Sequence, residues 1–350
     1  MVIRPIPYFI DIISRISADL EITKETWLGL TKVLVTGGAG FIGSHIVDAI
    51  LNRTGDVIAL DNLSSGKIEN LREATRRGGF KFVAGDLKKF PNLPEVLTDV
   101  SLVYHFAANP EVRVGAVEPS VHFEENLLTT FKLLEAMRAS SEAKTIVFAS
   151  TSTVYGQATQ LPTPEDYGPM LPISTYGASK LGCESLISAY AYTHGMRGLI
   201  LRLGNCVGSR SRHGVLSDFI QKLRTNPNEL EILGDGTQVK SYVHVADCLN
   251  AIFLSAESFL RSDKRVEVYN LSSPDQVSVK RIAEIVVEEL GLRGIKMKFT
   301  GGVDGGRGWF GDVKVMHLSV AKLMKLGWRP KLNSEGAIRA AAKELMTEAT

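Results

Sequence analysis

The stretch that decides the fold reads Lys32-Val33-Leu34-Val35-Thr36-Gly37-Gly38-Ala39-Gly40-Phe41-Ile42-Gly43-Ser44-His45. Its unbroken apolar run, residues 33–35, is typical of a parallel strand that is buried on both faces. The glycines then serve separate needs: Gly37 permits a tight turn, Gly40 lets backbone approach a pyrophosphate, and Gly43 lets the next helix pack closely against the strand. These features predict a dinucleotide-binding turn.

The elements around this turn supply the context that the glycine pattern needs, because a glycine-rich turn by itself is common. A helix is predicted from Phe41 to about Leu51, whose bare N-terminal amides and dipole would face the phosphates. A second strand, Val57 to Leu60, ends in Asp61, about twenty residues beyond the turn. A carboxylate there accepts hydrogen bonds from the adenosine ribose hydroxyls and repels a 2′-phosphate. The predicted cofactor is therefore NAD and not NADP.

Length and composition describe a globular chain of 350 residues, with 44% hydrophobic residues and a formal net charge of +2. Because no dense block of Lys and Arg occurs, neither nucleic acid nor a membrane surface is expected as a partner, and a small polar substrate is favoured. Cys183, Cys206 and Cys248 are odd in number and lack metal-ligand spacing, so we expect reduced thiols in a cytoplasmic protein and no metal site. No apolar stretch is long enough to cross a bilayer.

The first 31 residues form an N-terminal extension that precedes the first predicted strand. Charged residues interrupt its apolar stretch, so a secretory signal is not expected. Apolar residues recur there at helical spacing, at Phe9, Ile13, Ile16 and Leu20. Two alternatives stay open: an amphipathic helix that docks on the domain or on a partner subunit, and a true translation start near Thr31.

Strands and helices continue to alternate, which predicts a Rossmann-like, doubly wound parallel α/β sheet. Further strands are expected at Phe80 to Ala84, Leu102 to Phe106, Thr145 to Phe148 and Gly198 to Leu203. After Asp61 a polar turn, residues 62–66, is expected, followed by a helical segment to about Arg77, and a further helix is expected from about Val121 to Arg138. Asp86 follows the third strand, where it either accepts a hydrogen bond from the adenine amino group or caps the next helix.

A helix that begins near Ser174 carries Tyr176 and Lys180, which stand four residues apart and therefore on one face. The same pair is common on protein surfaces. Here it follows a dinucleotide fold and a cluster of hydroxyl residues, including Thr151, at the end of the fifth strand. The combination indicates a functional pair and not a chance surface spacing.

The pattern loosens from Asn205 onward, which predicts a second, smaller α/β lobe for substrate. We assign residues 32–204 to the NAD-binding domain, with 241–260 returning to it as a helix. Residues 205–240 and 261–350 are assigned to the substrate-binding lobe. The two domains are therefore expected to interleave.

Together these motifs resemble the sugar-nucleotide epimerases of the extended short-chain dehydrogenase/reductase family. The resemblance rests on Thr36 to Gly43, Asp61, Asp86, His105 to Ala108, Thr151, Tyr176 and Lys180, and the match extends to a C-terminal helix near Ala337 to Leu345. It implies an NAD-dependent C4 epimerisation of a UDP-linked hexose, such as the interconversion of UDP-galactose and UDP-glucose. The reaction would pass through a 4-keto sugar, with NAD retained on the protein.

The resemblance also implies the catalytic roles. Tyr176 would exchange the proton of the sugar 4-hydroxyl, Lys180 would hold the nicotinamide ribose and lower the tyrosine pKa, and Thr151 would hydrogen-bond the reacting oxygen. Bringing a phenol from a pKa of about 10 to about 7 takes roughly 4 kcal/mol of differential stabilisation, for which two neighbouring positive charges are a plausible source.

Pattern and resemblance together give the full set of predicted ligand contacts. Those to NAD are Gly37, Gly40, Phe41, Ile42, Gly43, Asp61, Asn62, Ser65, Gly66, Asp86, Leu87, Phe106, Ala107, Ala108, Asn126, Tyr176 and Lys180. Those to the nucleotide sugar are Thr151, Thr153, Asn205, the backbone of Gly214 and Val215, Lys240 and Arg307.

Some positions depart from the family pattern. Lys240 stands where arginine is usual, and lysine lacks the planar bidentate group. Arg307 lies further ahead of Asp312 than its counterpart does, so it either contacts the diphosphate or is a solvated surface charge. Leu203 replaces an aromatic residue, and Met316 falls where the wall of the sugar pocket is expected.

Residues after Thr151 discriminate between related activities. A 4,6-dehydratase would carry Asp-Glu where Ser152 and Thr153 stand, and a UDP-glucuronate decarboxylase would carry Glu in place of Thr153. Simple epimerisation is therefore favoured. Open alternatives are a UDP-N-acetylhexosamine or UDP-glucuronate 4-epimerase, a reductase that consumes free NADH, and a non-catalytic NAD-binding sensor. The resemblance further implies a homodimer formed through two helices, one of them Tyr176 to His194.

Overall fold

The protein is described by a computed structural model that covers residues 32–53 and 55–348. The predictions for the N-terminal extension, residues 1–31, lie outside these residues. Within them, no helix is both long and apolar enough to span a membrane.

The main sheet has seven strands, all parallel, in the order β11-β6-β5-β4-β1-β2-β3. Its strands are β1 Val33–Thr36, β2 Val57–Asp61, β3 Phe80–Ala84, β4 Leu102–His105, β5 Thr145–Thr151, β6 Arg197–Leu203 and β11 Val266–Leu271. The order reverses between β1 and β4, and in such sheets ligands bind at the carboxyl ends of the strands beside that point. The predicted fold class is confirmed.

Helices cover both faces of this sheet. The α-helices of the described chain are α1 Phe41–Leu51, α2 Leu93–Val96, α3 Ser120–His122, α4 Thr129–Ala139, α5 Thr175–Thr193, α6 Val215–Thr225, α7 Val245–Leu260, α8 Val279–Glu289, α9 Ala321–Lys325 and α10 Ser334–Glu348. One core packs α1 and α7 against the sheet around Ile46, Ile50 and Phe253. The other packs α4 and α5 around Leu134 and Ile187. The helix from Val245 thus returns to the main sheet.

Several predicted bounds are wrong. Strand β11 is the edge strand of the main sheet, so residues 261–350 are not all part of the substrate lobe. Two 3₁₀ helices, Ile68–Leu71 and Ala74–Arg76, replace the helix expected up to Arg77. They bury only Leu71 and Ala74, which is too little apolar surface to hold a longer helix. The long helix expected from Val121 contains a π-helical segment, Phe123–Leu128.

The smaller lobe lies beside the carboxyl ends of the main strands. Its short strands are β7 Asn205–Val207, β8 Glu229–Ile232, β9 Val239–Lys240, β10 Tyr242–His244, β12 Val277–Ser278, β13 Lys296–Phe299 and β14 Val315–Met316. They pair as β10-β7, β12-β9-β14 and β13-β8. A separate core joins them to α6, α8 and α10 around Phe219, Ile282 and Ile338.

Candidate active site

The glycine turn after β1 has the shape that its sequence predicts. Gly37 has a φ of +68°, and a Cβ at Gly43 would lie 2.1 Å from the Gly37 carbonyl oxygen. A Cβ at Gly40 would meet within 4 Å only that same oxygen, at 3.1 Å. The backbone at Gly40 therefore faces open space at the N-terminus of α1, as a cradle for a phosphate requires.

Asp61 is buried at the carboxyl end of β2 and held by backbone amides. Its Oδ2 accepts from Ala39 N at 3.0 Å, and its Oδ1 accepts from Leu63 N at 2.7 Å. A Cβ at Gly66 would come within 2.9 Å of the carboxylate, so the approach to it depends on that glycine. Each oxygen keeps acceptor capacity, which suits ribose hydroxyls and disfavours a phosphate. These residues fit NAD.

A cavity of about 470 Å³ runs from this turn into the smaller lobe. It brings together many of the predicted site residues: Gly37, Gly40, Phe41, Ile42, Gly43, Ser65, Phe106, Ala108, Thr151, Thr153, Tyr176, Lys180, Asn205, Gly214, Val215 and Lys240. Leu203 and Met316 also line it, as expected of the sugar pocket. The cofactor and substrate regions therefore share one continuous space.

Other predicted residues lie outside the wall of this cavity: Asp61, Asn62, Gly66, Asp86, Leu87, Ala107, Asn126 and Arg307. Asp86 Oδ1 accepts from Lys88 N at 2.9 Å and so closes a turn, which is closer to the capping alternative than to an adenine contact. Leu87 is buried in the apolar core. Asn62 Oδ1 accepts from Ser64 N at 3.0 Å in an exposed turn.

Asn126 is placed differently from its prediction as a cofactor contact. The side chain is buried, and both ends of its amide are engaged within the protein. Its Oδ1 accepts from Asn109 N at 2.8 Å, and its Nδ2 donates to Ser179 Oγ at 3.0 Å. The structure gives Asn126 a bracing role behind the cavity, because a π-helical turn directs it at these partners.

Arg307 is also placed differently from its prediction as a diphosphate contact. Its Nη1 donates to Asp304 Oδ2 at 2.7 Å, within a tight turn in which Val303 and Arg307 pair through their backbones. Its Nε is buried without a partner among the described residues. Arg307 is therefore paired within its own turn and is not among the residues that line the cavity.

The predicted catalytic residues Tyr176 and Lys180 lie on α5, which Ser174 caps with its hydroxyl accepting from Gly177 N at 3.1 Å. One turn further on, the buried Lys180 donates from Nζ to Ala149 O at 2.9 Å. Tyr176 hydrogen-bonds with Thr151, whose Oγ1 also lies 3.1 Å from Thr153 Oγ1. Phenol, ammonium and hydroxyls thus converge at the end of β5.

Burial within the protein shifts the pKa values of Tyr176 and Lys180 in opposite directions. Burial raises the pKa of Tyr176 to about 12, and the hydrogen bond from Thr151 opposes this only in part. Burial lowers the pKa of Lys180 to about 8. The predicted lowering of the phenol pKa relied on two positive charges, those of Lys180 and of the oxidised nicotinamide. Within the protein alone, burial is the largest influence on Tyr176.

A buried polar network beneath α5 was not predicted. Arg202 donates to Glu184 Oε2 from Nη2 at 2.7 Å and to Tyr155 Oη from Nη1 at 2.8 Å. The Ser150 hydroxyl donates to the same carboxylate. A glutamate one turn after Lys180, on a face that must pack against the sheet, is the sequence signal that could have revealed it.

Basic residues on the cavity wall were also missed: Arg113, Arg210, Arg212 and His213. Arg113 lies in the short 3₁₀ helix Val112–Ala116, and the other three lie on the irregular segment before α6, where sequence periodicity gives no signal. The predicted Lys240 joins them, with Nζ 2.6 Å from Asp312 Oδ1 and 5.6 Å from the Trp309 ring centre. The N-terminus of α6, at Gly214 and Val215, opens on the same wall. This side of the cavity suits an anionic ligand.

A Tyr-Lys pair on the helix after the fifth strand of an NAD-binding Rossmann sheet defines an NAD-dependent enzyme of the short-chain dehydrogenase/reductase type. The model of the NAD dependent epimerase/dehydratase family matches residues 33–272. The chain belongs to this family and is an epimerase-type isomerase.

Relatives and solved structures support the assignment. A UDP-glucose 4-epimerase of Lactobacillus helveticus is 31% identical over 329 residues, covering 89% of this chain and 96% of the relative. The crystal structure of a UDP-galactose 4-epimerase has 43% identity and a TM-score of 0.81, covering 91% of this chain and 100% of that one. The Thermus thermophilus UDP-glucose 4-epimerase in complex with NAD has 33% identity and a TM-score of 0.78, covering 90% and 99%.

Epimerases of other UDP-sugars are similar as well. The UDP-N-acetylglucosamine 4-epimerase of Methanobrevibacter ruminantium has 31% identity and a TM-score of 0.79, covering 91% of this chain and 98% of that one. The Bacillus cereus UDP-glucuronic acid 4-epimerase, in complex with UDP-glucuronic acid and NAD, has 27% identity and a TM-score of 0.80, covering 91% and 100%.

Proposed function

We propose that this nucleotide-sugar 4-epimerase interconverts UDP-galactose and UDP-glucose. One observation carries the proposal: Tyr176, Lys180 and Thr151 meet in a single cavity that joins the glycine turn to a cationic wall. A nucleotide sugar that fills the cationic side would extend its hexose toward the phenol. A scaffold protein or sensor would have no use for such a proton-transfer pair.

The proposed chemistry divides into hydride and proton transfer. The glycine turn and Asp61 would hold NAD, which when bound would supply hydride transfer at C4 of the hexose by way of a 4-keto sugar. Tyr176 takes the proton of the 4-hydroxyl and later gives it back, while Thr151 hydrogen-bonds the same oxygen. No net oxidation occurs, so the proton that Tyr176 removes is the one it must restore.

Tyr176 needs a positive charge from outside the protein to become a base at neutral pH. The protein alone raises its pKa to about 12, chiefly through burial. The positive charge of the oxidised nicotinamide, beside that of Lys180, favours the phenolate. Tyr176 would therefore lose its proton only when the oxidised cofactor is bound, and the phenol would stay protonated in its absence.

The smaller lobe would hold UDP while the hexose turns. Asn205, Lys240 and the backbone amides at the start of α6 face the cavity and suit a diphosphate. Met316 lines the sugar region, and its flexible side chain would allow more than one hexose. The runner-up substrates are therefore a UDP-N-acetylhexosamine and UDP-glucuronate.

We further propose a homodimer in which α5 contributes to the interface. Large hydrophobic side chains stand exposed on α5, on α4 and on the segment that precedes α4: Tyr192, Phe131, Val117 and Phe123. Exposed apolar surface is typical of an interface between subunits. Sedimentation equilibrium of the purified protein, with Phe123→Ser as the matched variant, tests the proposal; a monomer at micromolar concentration would contradict it.

The decisive experiment mixes the purified protein with UDP-galactose and no added NAD. Formation of UDP-glucose with unchanged absorbance at the NADH band is the expected result. Bound NAD without conversion would instead identify a sensor, and stoichiometric loss of added NADH would identify a reductase. Parallel reactions with UDP-N-acetylgalactosamine and UDP-glucuronate rank the sugars.

Tyr176→Phe is the matched control, because it removes one hydroxyl and keeps the ring. We expect turnover to fall by about a hundredfold or more, the range typical of a lost general acid–base group. Bound NAD should stay near the wild-type level. Undiminished turnover in this variant would refute the proposed role of the phenol.

A further inference from the structure

A buried histidine packs against the catalytic tyrosine, and the function derived above gives it no role. His122 is the last residue of α3 and has no exposed surface. Its ring centre lies 5.5 Å from that of Tyr176, with an angle of 67° between the ring planes. This edge-to-face geometry is favourable for an aromatic pair and fixes the relative position of the two rings.

Two hydrogen bonds hold the imidazole in one orientation. Its Nε2 lies 3.1 Å from the Glu111 carbonyl oxygen, which can only accept, so Nε2 carries the proton. Its Nδ1 lies 2.8 Å from Thr175 Oγ1 and accepts from that hydroxyl when the ring is neutral. Burial lowers the pKa of His122, which favours the neutral ring. Thr175 directly precedes Tyr176, so the histidine is bonded to the side chain of the residue before the tyrosine.

Asn126 forms a second brace on the other side of Tyr176. It joins Asn109 N to Ser179 Oγ, and Ser179 in turn donates to the Tyr176 carbonyl oxygen at 2.8 Å. His122 and Asn126 therefore both connect the loop 109–111 to α5, one ahead of the tyrosine and one behind it.

The local backbone is built to allow these contacts. The π-helical segment Phe123–Leu128 begins directly after His122. Segments of this kind are rare in proteins, and those that occur often lie at functional sites. A Cβ at Gly115 would lie 2.0 Å from Thr175 Oγ1 and 2.5 Å from His122 Nδ1. Only glycine lets the chain pass this close to the bonded pair.

We propose that His122 is a positioning residue for the reaction: through Thr175 and the ring contact, it holds Tyr176 where the phenol meets the sugar 4-hydroxyl. The inference rests on the proposed function, because it requires proton transfer by Tyr176. Small displacements matter here, since about 1 Å of misplacement can lower a rate by about a hundredfold.

The test compares Thr175→Val with Thr175→Ser, which differ in the hydroxyl that His122 accepts from. Thr175→Val should lower kcat about tenfold while KM for UDP-galactose and bound NAD change by less than about twofold, and Thr175→Ser should restore kcat to within about twofold of wild type. His122→Phe, which keeps a ring and loses both hydrogen bonds, should behave like Thr175→Val.

His194→Phe is the matched control, because His194 packs on Tyr190 with ring centres 5.0 Å apart at the far end of the same helix. This variant should keep the wild-type kcat. Wild-type kcat in Thr175→Val would overturn the inference, and so would a loss that appears equally in KM or in NAD content. If His122→Phe does not fold, the two Thr175 variants decide. Wild-type protein without any turnover would refute the proposed function instead.

Discussion

At the scale of the residue, the burial of the Lys180 ammonium costs folding stability while it places a charged group at the candidate active site. Its side chain is 3% exposed, and its ammonium contacts the Ala149 carbonyl oxygen and lies 4.8 Å from the Phe148 ring centre. One carbonyl oxygen replaces only part of the hydration that a charged amine has in water. Burial therefore lowers the pKa of Lys180 to about 8.

Lys180→Met tests the cost of burying this ammonium through the pH dependence of the free energy of unfolding. The folded state loses the lysine proton near pH 8, whereas the unfolded chain keeps it until about pH 10.4, so wild-type stability should rise with pH across this window. The variant has no titrating amine at position 180 and should lack this rise in the free energy of unfolding, which amounts to about 3 kcal/mol.

Urea unfolding of both proteins at pH 7.5 and at pH 10, each at the same NAD concentration, measures the difference. Comparing the two pH values cancels groups that titrate alike in wild type and variant. Equal pH dependence in the two proteins would contradict the prediction.

At the scale of the element, α5 is fixed to the sheet by its buried ion pair as well as by apolar packing. Glu184 and Arg202 are 6% and 5% exposed, and Arg202 also reaches Tyr155 and the Glu165 carbonyl oxygen. The same helix carries Tyr176 and Lys180, so this ion pair anchors the element that bears the proposed catalytic pair.

Glu184→Gln should destabilise the protein by about 3 to 5 kcal/mol, because it leaves the Arg202 guanidinium buried without its counter-charge. Glu73→Gln is the matched control, since Glu73 pairs with Arg76 at 66% and 67% exposure. That surface pair should contribute less than about 1 kcal/mol. Denaturant unfolding measures the loss of stability in each variant. Equal losses would show that the buried ion pair contributes no more to stability than the exposed one.

At the scale of the whole molecule, the cavity exists because the chain crosses between two lobes. At β7 the chain enters the smaller lobe, returns through α7 to the main core, and adds β11 to the main sheet. Arg210 ties the lobes together, with Nη2 2.7 Å from Asp48 Oδ2 on α1. Cofactor and substrate walls are thus held at a fixed separation.

Lys240→Ala tests whether the wall that contains Lys240 binds the substrate and not NAD. We expect KM for UDP-galactose to rise about tenfold or more, because a charge-assisted contact to the diphosphate is lost, while bound NAD stays unchanged. Lys298→Ala is the control, since Lys298 is 60% exposed on β13. Steady-state kinetics and the NAD content of the purified variants give the result. A fall in NAD content would place Lys240 on the cofactor side.

The sequence by itself determined the features that depend on local chemistry. The apolar run of β1, the glycines at positions 37, 40 and 43, and the Tyr176–Lys180 spacing each carry a steric or periodic requirement that few other residues satisfy. The class of fold, a doubly wound parallel sheet, and the NAD preference follow from these requirements and from Asp61.

Only the tertiary structure decided which side chains meet across elements. Asn126 and Arg307 were predicted as ligand contacts, yet a π-helical turn and a local pairing with Asp304 direct them elsewhere. The place of β11 in the main sheet and the packing of His122 on Tyr176 join residues far apart in the chain. Such contacts depend on which surfaces the folded core brings together, and no local pattern encodes that.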